Sequence, residues 1–531
     1  MKIQQNSSFF SILLACVIAS TVGCGGGSSD TRTPPSDISW SEGVFEDESQ
    51  FKDFCENPRS GTDLLGREFR DQPGSTLLEN HWLRSWSNNT YLWYSEIIDQ
   101  NPANFSDTIS YFDTLKTNAT TPSGSAKDNF HFTIDSAEYL ELSQSGVSSG
   151  YGLQWAIISG APPRKLRVAF SQPNGPAAAQ NVFRGAEVLE VDGIDFVNDN
   201  TQSGLEIINA AIFPANSGES HTFVIRDLGT TQTRSVTLVS ADVQEEAILA
   251  NDVIATNSGN VAYVMYNTFR SFSEQSLIDT FDQLESQNIS DLVLDLRYNG
   301  GGLVNIASEL GYMIAGDVNT DGKIFEQIRF NDKHPTINPV TGELLSPVPF
   351  YTETVGSGSS TAGIPLPTLN LDRLFVLSTD GTCSASEAVI NALRGIDVEV
   401  ILIGDSTCGK PYGFYATDNC GTTYFTIQLT GENDKGFGEY PDGFSPENEI
   451  GALGVTIPGC SVADDFDHAL GDTEEALLKQ ALDFRETGTC NTQAINKLVQ
   501  NSQAQFKADN ALSIKKPKKL NVKILSHPRE Y

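Results

Sequence analysis

The spacing of hydrophobic residues near the amino terminus predicts helices. Aromatic and apolar side chains recur at helical spacing between 81 and 97, and a shorter run from Ile109 to Leu115 has the same character. The residues of the first run are His81, Trp82, Trp86, Tyr91, Trp93, Tyr94 and Ile97. A one-sided stripe of this kind more often packs into a core than binds a ligand, so we predict a helical, core-forming segment.

Between about 140 and 242 the pattern changes to short runs typical of β-strands. These runs are rich in β-branched and apolar residues, and Gly, Pro and Asn-Gly turns separate them. The predicted strands are 166–170, 187–191, 221–226 and 234–238. This stretch is therefore predicted to be a small β-rich module.

From about residue 246 strands alternate with helices. Strands are predicted at 261–266, 292–296, 374–377 and 398–403. Helices are predicted after a capping box formed by Ser271 and Glu274, at 306–314 and at 386–393. Such alternation indicates a largely parallel sheet covered by helices, and the predicted fold class is multi-domain α+β.

Length and charge narrow the classes of function. The chain has 531 residues and a formal net charge of -34. At roughly 100–200 residues per domain, this length predicts two to four domains. Binding to nucleic acid needs clustered Lys and Arg opposite the phosphates, so we predict no nucleic-acid partner. The same charge argues against broad attraction to anionic lipid and favours solubility.

The amino terminus resembles a bacterial lipoprotein export signal. The apolar run from Phe9 to Val22 is too short to span a bilayer comfortably, and Cys24 follows it ahead of a Gly/Ser stretch. In such signals the cysteine becomes the lipidated first residue. Signal-peptide cleavage without lipidation is the alternative, because Thr21 stands where such signals normally have Leu. Cys16 also follows residues expected before a lipidated cysteine, but it leaves almost no apolar region ahead of it. We predict an exported bacterial protein, lipid-anchored on the periplasmic side of the membrane or cell envelope.

Six further cysteines suggest disulfides in an exported chain. They are Cys55, Cys383, Cys408, Cys420, Cys460 and Cys490. Six thiols allow 15 pairings, of which Cys408–Cys420 and Cys460–Cys490 are two candidates. The sequence has neither CxxC nor His-x-x-x-His spacing, so neither a metal nor a cofactor is predicted.

Three segments at predicted strand ends carry candidate chemistry. The first, Asp295–Gly302, joins a buried strand to a helix through three glycines. Glycines expose backbone N–H groups, and a helix N-terminus favours negative charge. An oxyanion site is one interpretation, and a plain turn is the other.

The second and third segments supply a hydroxyl and an amine. Ser384 lies in the turn of Thr379–Glu387, where the alternative is that Ser384 or Ser386 is only a helix N-cap. Lys410 ends Gly404–Lys410, and a lone lysine is usually a solvated surface charge. Because sites form at the carboxyl ends of strands in α/β sheets, the three segments can converge.

A serine nucleophile needs a base that accepts its proton. None of the histidines stands in a suggestive sequence context. A buried lysine can act as that base when its pKa falls from about 10.4 towards about 7–8. Ser384 and Lys410 are therefore the candidate catalytic pair.

At these three segments the chain resembles the carboxyl-terminal processing peptidases, also called tail-specific proteases. The marks are a D-L-R-x-N-x-G-G strand end, an S-A-S-E serine turn and a G-[DE]-x-T-x-G-K lysine loop, in this order. The resemblance implies that Ser384 is the nucleophile and Lys410 the general base. It also implies an oxyanion hole made by backbone N–H groups of Gly300, Gly301 and Ala385.

The resemblance further implies a PDZ-like domain ahead of a core similar to the crotonase-type β/α spiral. Its carboxylate-binding loop corresponds to Gly150, Tyr151, Gly152 and Leu153, and such a module adds a peptide as an extra strand. The implied organisation is a signal peptide at 1–23, a flexible tether at 24–45, a helical N-terminal domain at 46–140, a PDZ-like domain at 141–243, a serine protease core at 244–490 and a polar, basic tail at 491–531, predicted to be loosely ordered.

Two departures from the family pattern leave questions open. Phe414 stands four residues after Lys410, where several members have Gln, so the residue that orients Lys410 is undetermined. The stretch between Ser384 and Lys410 is also one residue longer than in the family pattern, around 395–398.

Cys383 and Cys408 each lie close to a residue of the candidate pair, so the redox state of these cysteines can influence activity.

One further motif resembles the start of a calcium loop. Asp317–Gly322 has the required spacing of acidic and amide side chains. The twelfth position holds Ile328, however, where a calcium loop needs Glu. An ordinary turn is therefore predicted.

The predicted function is that of a serine-type endopeptidase that takes polypeptide substrates by their carboxyl termini. Phe414 motivates one alternative, a catalytically inactive peptide-binding scaffold. A second alternative is another acyl hydrolase that uses the same oxyanion hole, such as a thioester hydrolase.

Overall fold

The structure is a computed structural model that describes residues 32–35, 38–491, 512–514 and 522–525. The predicted signal peptide, with Cys16 and Cys24, lies outside the described residues. Among the residues described, no helix has the length and apolar character needed to cross a membrane.

The N-terminal segment is built around one long helix. Its elements are β1 (Phe54–Cys55), β2 (Gln72–Pro73), α1 (Thr76–Thr90), α2 (Thr108–Phe112), β3 (Phe132–Asp135) and α3 (Ser136–Ser145), with 3-10 turns at Glu48–Gln50, Tyr94–Glu96 and Pro102–Asn104. Trp82 and Trp86 are buried, which confirms that the aromatic stripe is core. The helix ends at Thr90 rather than continuing to 97, because Asn and Thr at 88–90 are weak helix formers.

The β-rich module follows, and its predicted strands are confirmed. Its elements are β4 (Val147–Gly150), β5 (Leu153–Ser159), β6 (Lys165–Ser171), α4 (Pro176–Ala179), β7 (Glu187–Val191), β8 (Ile194–Asp195), α5 (Gln202–Ile212), β9 (Ser220–Arg226), β10 (Thr233–Val239) and β11 (Ala241–Gln244). The main sheet has the order β10–β9–β7–β6–β5, so β5 is an edge strand. Helix α5 packs its apolar residues Leu205, Ile208 and Ile212 into the core of this sheet.

The third part of the chain alternates strands and helices. Its elements are β12 (Ile248–Thr256), β13 (Gly259–Tyr266), α6 (Glu274–Glu285), β14 (Ile289–Asp295), β15 (Gly301–Leu303), α7 (Val304–Thr320), β16 (Ile324–Phe330), β17 (Val348–Pro349), β18 (Arg373–Ser378), α8 (Ala385–Gly395), β19 (Glu399–Gly404), β20 (Tyr412–Gly413), β21 (Thr417–Asn419), β22 (Thr422–Phe425), β23 (Leu429–Glu432), β24 (Phe444–Pro446), β25 (Val455–Ile457), β26 (Gly459–Ser461) and α9 (Ala476–Thr487), with a 3-10 turn at Ser271–Ser273.

The main sheet here has the order β12–β13–β14–β18–β19–β26. Its neighbours pair in parallel except β12 with β13, so the largely parallel sheet is confirmed. Both faces are buried: Leu292 and Leu294 face one apolar cluster with α6, α7 and α8, and Val293 faces a second cluster with α9. This two-sided burial explains why the strands are continuous hydrophobic runs in the sequence.

Two details of this region differ from, or add to, the sequence prediction. The predicted capping box is wrong, because Ser271 lies in a 3-10 turn and α6 starts at Glu274. The Glu274 carboxylate instead accepts hydrogen bonds from Gly356 N, Ser357 N and Ser360 Oγ.

The calcium-like segment 317–322 ends helix α7, and Asp317 accepts a hydrogen bond of 2.8 Å from Tyr312.

Three disulfides join parts of the fold. Cys460–Cys490 is confirmed, but Cys408–Cys420 is wrong. Cys420 pairs with Cys55, 365 residues away, and Cys408 pairs with Cys383. The first of these bonds fastens the N-terminal segment to the third part of the chain, where β3 also pairs with β22.

The described parts of the carboxyl-terminal tail are docked, contrary to the predicted loose extension. Strand β27 (Val522–Ile524) pairs in parallel with β15. Farther upstream, Ile514 is buried in the core of the β-rich module. Apolar side chains at 514, 524 and 525 give these segments surface to bury.

A buried charge cluster fixes the end of strand β14. Arg297 is fully buried, and its guanidinium bonds the carboxylates of Asp295, Asp464 and Glu475. Arg184 of the β-rich module donates to Asp464 at 2.7 Å, so the same cluster links the module to the strand end. These carboxylates accept the hydrogen bonds of the Arg297 guanidinium, which would otherwise be an unpaired charge in the interior.

We predict that Arg297→Ala lowers the free energy of unfolding by about 3–5 kcal/mol, because it leaves buried carboxylates without their cation. Urea denaturation measures the loss. The matched control is Arg329→Ala, which removes an ion pair to Glu432 from a side chain that is 58% exposed. That control is expected to cost less than about 1 kcal/mol. Equal losses in the two variants would contradict a structural role for the cluster.

Candidate active site

The glycine segment and the serine turn are joined through Asn299. This side chain is buried, and its Nδ2 donates to the carbonyl of Tyr266 at 3.0 Å. Its backbone carbonyl accepts from Cys383 N and from Ser386 Oγ, both at 3.1 Å. The end of β14 and the start of α8 are therefore held against each other, as expected for parallel strands whose carboxyl ends meet at one edge.

Ser384 occupies the N-cap position of α8 in a strained conformation. Its φ is 64° and its ψ is -110°, a region that a residue with a Cβ seldom adopts. The side chain is fully buried, and among the described residues its Oγ has no hydrogen-bond partner. Ser384 and Glu387 occupy the N-cap and N3 positions of a capping box, so the turn that holds the hydroxyl is fixed to the start of the helix.

The lysine loop is tied to the serine turn by one buried carboxylate. Glu387 Oε2 accepts from Ser384 N at 2.8 Å and from Lys410 N at 2.9 Å. Its Oε1 accepts from Gly409 N at 2.8 Å and from Thr407 Oγ1 at 2.6 Å. Two backbone nitrogens that bond the same oxygen are close neighbours, so the structure brings positions 384 and 410 together.

The Lys410 side chain lies in an apolar enclosure. It is fully buried, and its Nζ lies 4.1 Å from the ring centre of Phe414 and 4.8 Å from that of Phe130. Burial holds the pKa of Lys410 well below its ordinary value, although the carboxylates of Asp128 and Glu387 act in the opposite direction. The amine is thus disposed to be neutral, which a base must be before it can accept a proton.

A disulfide and a backbone bond reinforce this arrangement. Cys383, directly before Ser384, is bonded to Cys408, with a Cα–Cα distance of 5.2 Å. Cys408 N also donates to the carbonyl of Thr382 at 3.0 Å. The two loops are thus joined just ahead of the candidate pair in each segment, and Cys408 lines a surface cleft of about 280 Å³.

The three predicted oxyanion donors differ in their present partners. Ala385 opens helix α8, where the first N–H groups have no partner within the helix. Gly300 lines a large cleft beside the site. The N–H of Gly301 donates to Asn299 Oδ1 at 2.9 Å, so it can reach an oxyanion only if that bond is released.

The predicted peptide-binding loop opens into the same cleft. Residues 150–153 and the glycines at 300 and 301 line one cavity of about 890 Å³. The loop is anchored to α5, because Tyr151 donates its hydroxyl to the carbonyl of Ala211 at 2.9 Å. The predicted peptide-binding loop and the predicted oxyanion glycines therefore line one common space.

Sequence reasoning gave no role to several residues of the site. Glu387 and Asn299 both lie inside the motifs quoted above. For Glu387 the available signal was the S-x-x-E spacing of a capping box. Asp128 and Phe130 have no such signal, since they reach Lys410 from the N-terminal segment. Phe414 packs an aromatic ring against the amine where an amide was expected.

Comparison with known proteins agrees with these motifs. Residues 260–413 match the sequence family described as peptidase family S41. The carboxyl-terminal-processing protease of a Picosynechococcus species is 28% identical over 281 residues, which cover 51% of this chain and 56% of that protein. The chloroplastic carboxyl-terminal-processing peptidase 2 of Arabidopsis thaliana is 25% identical over 278 residues, or 51% and 47% of the two chains. The chain thus spans about half the length of the curated relatives it matches.

A solved structure shares the fold. A crystal structure from Bacteroides fragilis that is named as an S41 protease superposes with a TM-score of 0.57 at 20% identity, over 77% of this chain and 97% of that one. The fold is thus a multi-domain α+β fold that resembles S41 protease structures. The match of residues 260–413 makes this part of the chain similar to peptidase family S41, a family of serine peptidases that use a Ser–Lys dyad.

Proposed function

We propose that this protein is a carboxyl-terminal processing endopeptidase in which Ser384 is the nucleophile and Lys410 the general base. One observation carries the proposal: a buried lysine with a lowered pKa and a strained, buried serine hydroxyl share a single carboxylate anchor, Glu387. The match of residues 260–413 to peptidase family S41 supports the same reaction class.

In the proposed mechanism Ser384 Oγ attacks the peptide carbonyl as its proton passes to the neutral amine of Lys410. The carbonyl oxygen becomes an oxyanion, which the N–H groups of Gly300 and Ala385 stabilise. Lys410 then returns the proton to the leaving amine as the C–N bond breaks, leaving an acyl ester on Ser384. A water molecule hydrolyses that ester by the same sequence, again with Lys410 as the base.

Capture of a carboxyl terminus is assigned to the β-rich module, which we propose is a PDZ-like domain at 141–243. Its β5 is an edge strand whose free side can pair with an added peptide strand. The loop before β5 holds Gly150 and Gly152 at positive φ, as a backbone nest for a carboxylate requires. The cavity of about 890 Å³ then leads the captured chain towards Gly300.

The remaining assignments follow the family resemblance. We propose a helical N-terminal domain at 46–140 and a crotonase-like serine protease core at 244–490. Three disulfides are typical of proteins outside the reducing cytoplasm, which supports export and an exported polypeptide as substrate. Lipidation at Cys24, and with it an anchor on the periplasmic side of the membrane, completes the proposal.

We predict that Ser384→Ala and Lys410→Met each lower kcat for an unfolded protein such as casein by at least about 10³-fold, because either change removes a member of the dyad. Turnover by purified protein is the measurement. Lys435→Met is the matched control, since that lysine side chain is 50% exposed and pairs with Asp397. Unchanged turnover in the Ser384 or Lys410 variant would contradict the assignment and favour a scaffold role.

We predict that amidation of the terminal carboxylate raises the KM of a tail peptide by about tenfold or more, because charge-assisted hydrogen bonds in the Gly150–Gly152 loop are lost. Initial rates for the free-acid and amide forms measure the effect. A control peptide carries the same charge change at an internal side chain. If the terminal and internal amides behave alike, the loop does not read a carboxyl terminus.

We predict that Asp128→Asn moves the ascending limb of the pH profile of kcat/KM to lower pH. The carboxylate at 128 favours the ammonium form of Lys410 and so raises its pKa; removing that charge lets the amine become neutral at a lower pH. The Asn oxygen can still accept the bond that Asp128 Oδ1 receives from Phe130 N at 2.9 Å, whereas the bond from the Tyr91 hydroxyl to Oδ2, at 2.8 Å, loses its acceptor. A limb that stays in place, or moves to higher pH, would argue against Lys410 as the base.

A further inference from the structure

The carboxyl-terminal strand β27 lies between the two walls of the candidate active site. On one side Val522–Ile524 pairs in parallel with Gly301–Leu303, a segment that begins with the predicted oxyanion glycine Gly301. On the other side Phe414 N donates to Lys523 O at 3.0 Å, and Leu525 N donates to Phe414 O at 3.3 Å. The tail thus bridges the glycine segment and the segment that follows Lys410, as an added peptide strand would.

The side chain of Ile524 fills an apolar pocket in this groove. It is 6% exposed and clusters with three phenylalanines, Phe132, Phe414 and Phe425, with Leu303 beside them. The three rings contact one another, and Phe414 is also the residue that packs against Lys410. The pocket is therefore continuous with the surroundings of the candidate base.

Lys523 is bound by a carboxylate at the base of the groove. Its ammonium is fully buried and pairs with Glu326, whose side chain is 3% exposed. A Cβ at position 431 would collide with the Glu326 carboxylate, so Gly431 leaves the room that this acid needs. Lys523 Nζ also lies 3.5 Å from the carbonyl of Pro411, the residue after Lys410. The groove thus contains a specific acceptor for one basic side chain.

The tail contacts the β-rich module as well. Ile514 N donates at 3.0 Å to the carbonyl of Gly160, which directly follows edge strand β5. The Ile514 side chain is buried in the same apolar cluster as Leu153 and Trp155 of β5. The chain's own tail therefore touches both surfaces that a substrate polypeptide is proposed to use.

We propose that the segment Val522–Leu525 is an internal pseudosubstrate that occupies the peptide groove and keeps the enzyme in a resting state. This inference rests on the proposed protease function. It agrees with the complete burial of both Ser384 and Lys410 in the tail-docked structure. It also identifies a substrate class: polypeptides in which a basic residue, read by Glu326, precedes a branched aliphatic residue, read by the phenylalanine pocket.

Deuterium exchange in the full chain carrying Ser384→Ala tests docking without any catalysis. Amides of 522–525 are expected to be protected in this chain and to exchange at least about tenfold faster when Ile524→Asp is added, because a carboxylate cannot be buried among the rings. Val318→Asp is the matched control, an aliphatic residue that is 89% exposed. Lys523→Glu is a second disrupting variant. Equal exchange rates with and without these tail changes would overturn the docking.

Turnover by the active full chain tests inhibition. Ile524→Asp and Lys523→Glu are expected to raise kcat/KM for a peptide substrate by about tenfold or more. The reason is that the fraction of molecules with an undocked tail sets the apparent affinity of the enzyme for its substrate. Val318→Asp is expected to change nothing. A synthetic peptide of residues 521–527 should inhibit the Ile524→Asp chain competitively, whereas the same peptide with Asp at 524 should not.

The outcomes separate the two proposals. Protected amides together with unchanged turnover in the tail variants would overturn the pseudosubstrate role and leave the protease function standing. Turnover missing from every variant would count against the protease function. In that case, binding of the labelled 521–527 peptide to the Ser384→Ala, Ile524→Asp chain still tests whether the groove binds this segment. Saturable binding that is abolished by Asp at position 524 of the peptide supports the docking proposal, and no binding overturns it.

Discussion

The site depends on one buried carboxylate. Glu387 accepts bonds from the turn that carries Ser384 and from the loop that carries Lys410. These elements follow different strands, so backbone pairing alone does not fix their separation. A carboxylate with several N–H donors can hold both at once, because each oxygen accepts more than one bond. Burial raises the pKa of Glu387, and the hydrogen bonds from Thr407, Ser384, Lys410 and Gly409 act against that rise.

Two buried basic side chains, Arg297 and Lys410, have opposite surroundings. Arg297 is surrounded by carboxylates that bond it directly and keep it charged. Lys410 is enclosed by the rings of Phe130 and Phe414, with Asp128 and Glu387 as more distant charges. Guanidinium remains protonated in proteins, whereas an ammonium readily loses its proton when desolvated. The residue types thus match their tasks, since one cation holds a strand end and the other amine must accept a proton.

The sequence predicted the parts of the fold that local patterns control. Strand β7 agrees at both ends with its hydrophobic run, and the three motif segments meet as expected of strand ends in a parallel sheet. The Cys55–Cys420 bond, whose cysteines are 365 positions apart, has no local signal, and neither does the approach of Asp128 to Lys410. The tail looked unstructured for a similar reason. Its few apolar residues are buried only because distant segments of the chain form a groove beside them, and the local sequence does not show that groove.

Strand addition explains why an enzyme with the proposed preference for carboxyl termini would need to control its own tail. Backbone hydrogen bonds along β5 and β15 do not depend on the sequence of the added strand, so any extended segment of the chain can use them. A tethered segment also competes at an effective concentration of about millimolar, without needing high intrinsic affinity. A substrate prevails only when it makes contacts that the internal strand lacks. The Gly150–Gly152 loop can offer such a contact to a terminal carboxylate, whereas Val522–Leu525 is an internal segment and carries no terminal carboxylate of its own.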